Sequence, residues 1–190
     1  EVHAISGILP MVLKAREEKC RFCLVPVENL EEACLVPDMK IIGVKNLKEM
    51  IQYLKAPESY APREGQTSAA GEEEGPDFRD IRGQESLKRA VEIAVSGFHN
   101  LLMIGPPGAG KTMTARRIPG IMPKLSYEEN LELTKIYSIA GLLSPSDPLI
   151  RHRPFRSPHH TSTAVALAGG GRNPRPGEIT LAHRGILFLD

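Results

Sequence analysis

The chain has 190 residues, of which 41% are hydrophobic and 25% are charged, and its formal net charge is +1. These proportions are ordinary for a globular protein, and the length suffices for one large domain or for a small domain beside a partial one. The near-neutral charge points to no charged partner, and no apolar run approaches the roughly 18 residues that a membrane helix needs.

The first 56 residues alternate predicted helices and strands. A helical pattern covers residues 11–19, and apolar runs predict strands at 21–25 and 40–44. Asn29 is expected to cap a helix that runs through Leu35, and Asn46 is expected to cap a second helix at 47–54. This β-α-β-α order predicts a parallel or mixed sheet, and the sheet looks incomplete because two strands cannot bury both faces of their helices.

The three cysteines, Cys20, Cys23 and Cys34, lie in this first part. No secretory signal begins the chain, so an odd number of cysteines predicts reduced thiols in a cytosolic protein. Cys20 and Cys23 form a C-x-x-C pair, but residues three apart on a strand point to opposite faces, and no second pair follows. We interpret the three as small buried hydrophobic side chains, with a zinc or redox site as the alternative.

Residues 57–79 have the composition of a flexible linker. They contain Pro, Gly, Ser and Thr with few large apolar groups, so burial cannot offset the entropy lost on ordering. The acidic run Glu72, Glu73 and Glu74 is interpreted as part of a solvated linker rather than as a binding tail.

Residues 80–190 form the third part of the chain. An amphipathic helix is predicted at 86–95 and a short buried strand at 101–104. A helix is predicted to begin near Lys111 and to end or begin its exit at Pro119. A further helix is predicted at 128–136 and a buried strand at 185–190.

The strongest signal is GPPGAGKT, which comprises Gly105, Pro106, Pro107, Gly108, Ala109, Gly110, Lys111 and Thr112. It fits G-x-x-x-x-G-K-[ST] and lies between a predicted strand and a predicted helix, as a phosphate-binding P-loop (Walker A element) does. The glycines let consecutive backbone N–H groups point at phosphate oxygens, and the helix adds its unpaired N–H groups. Lys111 would contact the β- and γ-phosphates, and the Thr112 hydroxyl would bind Mg²⁺. The loop therefore predicts a site for ATP with Mg²⁺ rather than a plain glycine turn.

A second signal is GILFLD at residues 185–190, an apolar strand that ends in a carboxylate. This is the shape of a Walker B element, so Asp190 is predicted to lie on the metal side of the site and, with Lys111, to be catalytic. The Glu that orients the attacking water would come directly after Asp190. Because the chain starts at Glu1 and stops on this strand, it is expected to be an internal piece of a longer protein.

The third part resembles a known family. GPPGAGKT and FRSPHHTSTAVALAGGGRNPRPGEITLAHRGILFLD resemble the magnesium-chelatase-like AAA+ ATPases of the ComM (YifB) type over residues 80–190. DIRGQ at 80–84 resembles the segment that lines the adenine pocket in AAA+ ATPases, which implies that Ile81 and Gly83 bind the nucleotide. The alternative is a plain helix N-terminus, capped by Ser86 or Asp80.

The resemblance extends to the first part, where ISGILPMVLKAREEKCRFCLVPVENLEEA is similar to the end of a Lon-protease-like domain. It implies a three-layer αβα P-loop AAA+ domain, truncated after the Walker B strand. A partial Lon-like (ribosomal S5-like) α/β domain at 1–56 would precede it. Leu9 stands two residues after Gly7, where true Lon proteases carry the Lys that activates a Ser nucleophile, so no peptidase activity is expected.

The same resemblance implies a cytoplasmic ATPase that forms a ring, by family a hexamer, with no membrane partner. Such rings act on DNA as a helicase or translocase in recombination and natural transformation. The alternative is a chelatase-like ATPase that remodels a protein complex without nucleic acid. This chain alone is expected to hydrolyse ATP hardly at all, because the arginine finger and sensor residues of the family lie further along the sequence.

Residues 151–184, called here the insertion, contain six arginines and four histidines but one acid, Glu178. Arg and His in a glycine-rich loop suit contacts to DNA phosphates, and glycines 169–171 allow a tight hairpin tip. Phe155 is the one aromatic residue, so base stacking is poorly provided. A solvated or subunit-facing insertion is the alternative. His159 and His160 are not expected to bind metal, because adjacent residues seldom both reach one ion.

Overall fold

The structure is a computed structural model that describes residues 1–65 and 77–190. The acidic run 72–74 and about half of the predicted linker lie outside the described residues. The described fold is mixed α/β. The helices are α1 (Ile8–Glu17), α2 (Leu30–Ala33), α3 (Leu47–Lys55), α4 (Glu85–Ser96), α5 (Lys111–Ile121), α6 (Tyr127–Ala140), α7 (Ala164–Ala168) and α8 (Glu178–Leu181). The strands are β1 (Cys23–Pro26), β2 (Lys40–Val44), β3 (Arg63–Glu64), β4 (Phe155–Arg156), β5 (Gly169–Gly170), β6 (Arg175–Pro176) and β7 (Ile186–Leu187).

The first sheet has the order β1-β2-β3 and is mixed, as the sequence predicts. β1 and β2 are parallel, with Cys23 opposite Ile41, and β2 has the predicted bounds. β3 is antiparallel to β2, with Lys40 opposite Glu64. This strand lies inside the segment predicted to be a linker, and its two polar residues give no strand pattern in the sequence.

Two asparagines predicted to cap helices differ in what they do. The Asn46 side chain accepts a hydrogen bond from the Glu49 N–H at 3.0 Å, which confirms the predicted cap of α3. Asn29 does not cap α2. Its amide instead bonds both the N–H and the carbonyl of Ile5, each at 2.9 Å. A short 3₁₀ turn at Val27–Asn29 precedes α2, which has only four residues because it ends at Ala33, two residues before the predicted end at Leu35.

The first hydrophobic core draws on residues from before and after the predicted linker. Its buried members are Ile8, Leu9, Val12, Leu13, Val25, Ala33, Leu35, Val36, Met39, Ile41 and Leu149. Helix α6 packs against α1. At the start of α6 the Tyr127 hydroxyl donates to the carbonyl of Leu35, which follows α2, at 3.0 Å. The Ser138 hydroxyl donates to the buried carboxylate of Glu32, which also accepts from the Leu9 N–H. Helix α6 therefore packs against the first core although it follows the predicted linker.

A second core lies under the helices α4 and α5, where Phe78, Ile81, Val91 and Ile118 are buried. Helix α4 is one residue longer at each end than predicted, and α5 begins at Lys111 as predicted. Pro119 lies two residues before the end of α5, in agreement with the predicted exit.

Helix α6 is longer than the predicted 128–136 by one residue at its start, where a capping box begins it, and by four residues at its end. The Ser126 hydroxyl accepts from the Glu129 N–H, and the Glu129 carboxylate accepts from the Ser126 N–H at 2.9 Å. Two otherwise unpaired backbone donors are satisfied in this way, and the helix starts one residue earlier than the apolar pattern indicates.

The prediction of a strand at 101–104 is wrong. Among the described residues none pairs with this segment, and the Leu102 and Ile104 side chains are 81% and 89% exposed. A strand exists only through pairing, and Leu101 and Met103 do not pair with β7 but line with it a cavity of about 400 Å³. The strand predicted at 185–190 is reduced to the two residues of β7, which pairs in parallel with β4.

None of the helices in the described part of the chain combines the length and the hydropathy that crossing a bilayer requires.

Candidate functional site

The glycine-rich loop at 105–110 curls in front of the α5 N-terminus. Gly108 and Gly110 have φ values of 79° and 84°, which side chains other than glycine rarely adopt. The Ala109 N–H donates to the Pro106 carbonyl at 3.3 Å and closes the turn. The local sequence thus folds into the compact loop that the P-loop pattern predicts, followed by a helix of eleven residues.

Lys111 is the first residue of α5, and its side chain lies back across the loop. The ammonium donates to the Gly105 carbonyl at 2.8 Å and to the Pro106 carbonyl at 3.1 Å. These contacts hold a positive charge at the mouth of the loop, next to the positive end of the helix dipole. Both features favour an anion at this position.

The loop and Asp190 line one open cavity of about 520 Å³. Its lining comprises Gly105, Pro107, Gly108, Ala109, Gly110, Lys111, Thr112, Met113 and Asp190. The structure therefore brings Asp190 to the P-loop although 78 residues of sequence separate it from Thr112. A carboxylate, a hydroxyl, an ammonium and the N–H groups of a helix start are the donor set that a phosphate chain with Mg²⁺ requires.

Three predicted nucleotide contacts, Pro106, Ile81 and Gly83, do not line this cavity. Ile81 is buried in the second core, and Gly83 is exposed with a φ of 66°. Helix α4 begins at Glu85 with Gln84 at its N-cap, so Ser86 lies inside the helix and Asp80 lies four residues before the cap; neither holds the capping position that the alternative interpretation gave it.

Two side-chain contacts tie the segment 80–84 to the P-loop region. Asp80 forms an ion pair with Arg117 on α5, with 3.4 Å between Oδ2 and Nε. The Gln84 side-chain amide donates to the Ala109 carbonyl at 3.1 Å. Gln84 cannot be singled out from the sequence, because the pattern shows a polar residue at a helix start but not its left-handed backbone, with φ 56°.

Four of the six arginines of the insertion have structural partners. Arg151 pairs with Asp147, and Arg153 is buried and donates to two backbone carbonyls. Arg156 forms two hydrogen bonds with Glu178, and Arg184 pairs with Glu129 and Glu132 on α6. The Arg156 guanidinium lowers the pKa of the Glu178 carboxyl through this hydrogen bonding. The remaining two, Arg172 and Arg175, are exposed and make no ion pair within the described residues.

Arg172 and Arg175 lie on a β-hairpin formed by β5 and β6. Its tip is at 171–174, so of the three glycines predicted for the tip only Gly171 lies there, and Gly169 and Gly170 form β5. The two strands approach so closely at the hairpin base that a Cβ on Gly169 would lie 2.7 Å from the Arg175 carbonyl oxygen. Glycine is required there for space as well as for its φ of 87°.

The remaining candidate ligands are not gathered into a metal site. Within residues 1–65 and 77–190, no three His, Cys, Asp or Glu side chains lie close enough to hold an ion. The His159 and His160 rings stack with centroids 4.1 Å apart, and His159 bonds the Thr161 hydroxyl. Cys20 is exposed and precedes β1, so its interpretation as a buried strand residue is wrong. Burial raises the pKa of the Cys23 thiol, and the nearby Cys20 adds to this.

Residues 77–190 match the protein family described as "Magnesium chelatase, subunit ChlI". The whole chain is 45% identical over 190 residues to an uncharacterized protein of Mycobacterium tuberculosis, of which it covers 38%. It is 37% identical over 199 residues to the competence protein ComM of Haemophilus influenzae, again with full coverage of the chain and 38% of the relative. Uncharacterized protein YifB of Escherichia coli is 41% identical over 189 residues, which are 98% of the chain and 37% of that protein. The chain therefore spans well under half the length of these relatives.

Proposed function

Because the chain belongs to the magnesium chelatase (subunit ChlI) family and is of the ComM (YifB) type, we propose that it carries the ATP-binding site of an AAA+ motor that acts on DNA. The motor would assemble as a ring, by family resemblance a hexamer, in the cytoplasm. The observation that carries this proposal is that the P-loop and Asp190 line a single cavity.

The residues of this cavity have distinct proposed roles. The loop N–H groups and the Lys111 ammonium bind the β- and γ-phosphates, and the α5 dipole adds to this attraction. Thr112 and Asp190 hold the Mg²⁺ ion, Asp190 on its outer side. ATP with Mg²⁺ supplies a phosphoanhydride whose hydrolysis drives movement. Positioning and charge neutralisation are what the protein contributes to such a reaction.

A DNA partner is supported by the two unpaired arginines at the insertion hairpin. Arg172 and Arg175 are exposed on the hairpin of β5 and β6, whereas the other four arginines are held by acids or carbonyls. Exposed guanidinium groups without an ion pair suit contact with phosphate oxygens. The relative from Haemophilus influenzae is named a competence protein, and a role in recombination during natural transformation accords with that name.

The test is the steady-state rate of phosphate release from the complete natural protein that contains this chain, measured with and without single-stranded DNA. We expect ATP hydrolysis that DNA stimulates and that Lys111→Ala abolishes. Hydrolysis that requires Lys111 but does not respond to DNA of any form would favour the alternative, an ATPase that remodels a protein complex. Hydrolysis that persists in Lys111→Ala would contradict the assignment of the loop.

A further inference from the structure

Gln84 occupies a backbone conformation that its side chain disfavours. Its φ of 56° lies in the left-handed region, where residues other than Gly, Asn and Asp are uncommon. The residue does not compensate by capping α4, since its side chain accepts no hydrogen bond from that helix. The strained backbone instead directs the side-chain amide at the P-loop, where it donates to the Ala109 carbonyl at 3.1 Å.

That carbonyl belongs to the peptide unit that joins Ala109 to Gly110. In a trans peptide the C=O and N–H groups point in opposite directions. A hydrogen bond that fixes the Ala109 carbonyl towards Gln84 therefore fixes the Gly110 N–H away from it. Both Ala109 and Gly110 line the loop cavity, and Gly110 is one of the loop residues whose N–H groups are expected to meet phosphate.

This peptide unit needs an external restraint. Its plane turns about ψ of Ala109 and φ of Gly110, and glycine populates positive and negative φ almost equally, so Gly110 itself does little to hold the plane. The segment that carries Gln84 is itself well anchored, because Asp80 pairs with Arg117 and Ile81 is buried in the second core. It can thus act as a fixed support for the loop.

We propose that Gln84 is a positioning residue for phosphate binding: its amide holds the 109–110 peptide plane so that the Gly110 N–H faces the phosphate chain. This inference rests on the proposed function of the loop. It assigns to Gln84 an effect on the phosphates rather than on the nucleotide base.

Two variants separate this role from a structural one. Gln84→Gly removes both the donor and the left-handed strain, so its melting temperature should equal or exceed that of the parent. Gln84→Met keeps the side-chain length and the strain but has no donor. Both should weaken the binding of a fluorescent ATP analogue about 3- to 10-fold, the effect expected from loss of one neutral hydrogen bond. Lys19→Gly is the matched control, because Lys19 is also exposed with a φ of 57° but lies far from the loop in sequence; it should leave affinity unchanged.

Competition by inorganic tripolyphosphate locates the effect. In both Gln84 variants of the complete natural protein, the affinity for tripolyphosphate should fall by the same factor as the affinity for ATP. If the variants lose ATP affinity but keep parental tripolyphosphate affinity, Gln84 acts on the base and the proposal is overturned. Parental ATP affinity in Gln84→Gly overturns it as well. Lys111→Ala, measured in parallel, tests the loop itself. If that variant binds ATP like the parent, both the proposed function and this inference fail. If only Lys111→Ala loses affinity and the Gln84 variants do not, the role of Gln84 alone is removed.

Discussion

The Arg156 guanidinium and the Glu178 carboxylate form a two-pronged ion pair, with Nε to Oε2 at 2.6 Å and Nη2 to Oε1 at 2.7 Å. Arg156 ends β4 and Glu178 begins α8, so the pair joins the two ends of the excursion that carries the hairpin. Both side chains are less than one third exposed. A bidentate ion pair restricts the relative orientation of two side chains more than a single contact does, so it fixes where the segment that carries the hairpin begins and ends.

Replacing Glu178 by Gln should lower the free energy of unfolding at neutral pH by about 1–3 kcal/mol, because the variant loses a charge-assisted contact and leaves Arg156 partly buried without its partner. Chemical denaturation measures the change. Glu92→Gln is the control, since Glu92 pairs with Arg89 on the exposed surface of α4, and its effect should stay within about 0.5 kcal/mol.

The difference between parent and Glu178→Gln should vanish in acid. Arg156 lowers the folded-state pKa of Glu178, so the pair stabilises the fold fully above the unfolded pKa, about 4.3, and this stabilisation is lost as pH falls through the lower folded value. Unfolding curves between neutral pH and strongly acidic pH would show the two proteins converging. A constant difference at every pH would mean that the amide disturbs packing rather than charge.

Lys111→Ala should leave the fold intact and reduce nucleotide affinity severely. The Lys111 side chain bonds only loop carbonyls in the described structure and lies at the cavity mouth, so its removal deletes charge without opening a core. Binding of a fluorescent ATP analogue, with circular dichroism alongside, measures both effects. Lys135→Ala on the exposed side of α6 should match the parent in both measurements.

Neutralising Arg172 and Arg175 together should weaken DNA binding by the complete natural protein. Each lost phosphate contact should reduce the slope of log affinity against log salt by about 1. The pair Lys48 and Lys55 on α3 is the matched control, because both are exposed and their removal changes net charge equally. Equal losses in the two double variants would show a bulk charge effect and not a contact at the hairpin.

Leu149→Ala should destabilise the first core by about 2–5 kcal/mol, the range for removing a fully packed leucine. Leu149 is 5% exposed and packs among residues of α1 and β2, although it follows the predicted linker. Leu142→Ala should have a small effect, because Leu142 is 52% exposed. Denaturant unfolding of both variants distinguishes them. A change in Leu149→Ala as small as in Leu142→Ala would show that this leucine does not contribute to the core.

Local signals in the sequence predict the local structure well. The pattern of apolar residues finds β2 at its observed bounds, and Asn46 caps α3 as expected. The P-loop pattern predicts the start of α5 because backbone conformation there depends on nearby glycines. Helix caps and glycine turns are determined by residues a few positions apart, so a short stretch of sequence is enough to predict them.

Features that depend on distant partners are not predictable in this way. An apolar run at 101–104 reads as a buried strand, but pairing decides whether it becomes one, and the described chain provides no partner. Asn29 has the chemistry of a cap, yet its amide is taken by Ile5, 24 residues earlier. The role of α6 in the first core depends on contacts 92 and 106 residues apart, which no local pattern carries.

Helix α6 and Leu149 complete the first core although they come late in the chain, and this has a consequence for synthesis on the ribosome. The helices and strands of residues 1–56 emerge early, but their core lacks Leu149 and the cover of α6 until about 90 further residues have been translated. At about 5–20 residues per second, that interval lasts on the order of 5–20 s. During it α1 packs against α2 and β1 but lacks its contact with α6, so that part of its surface waits for residues translated later.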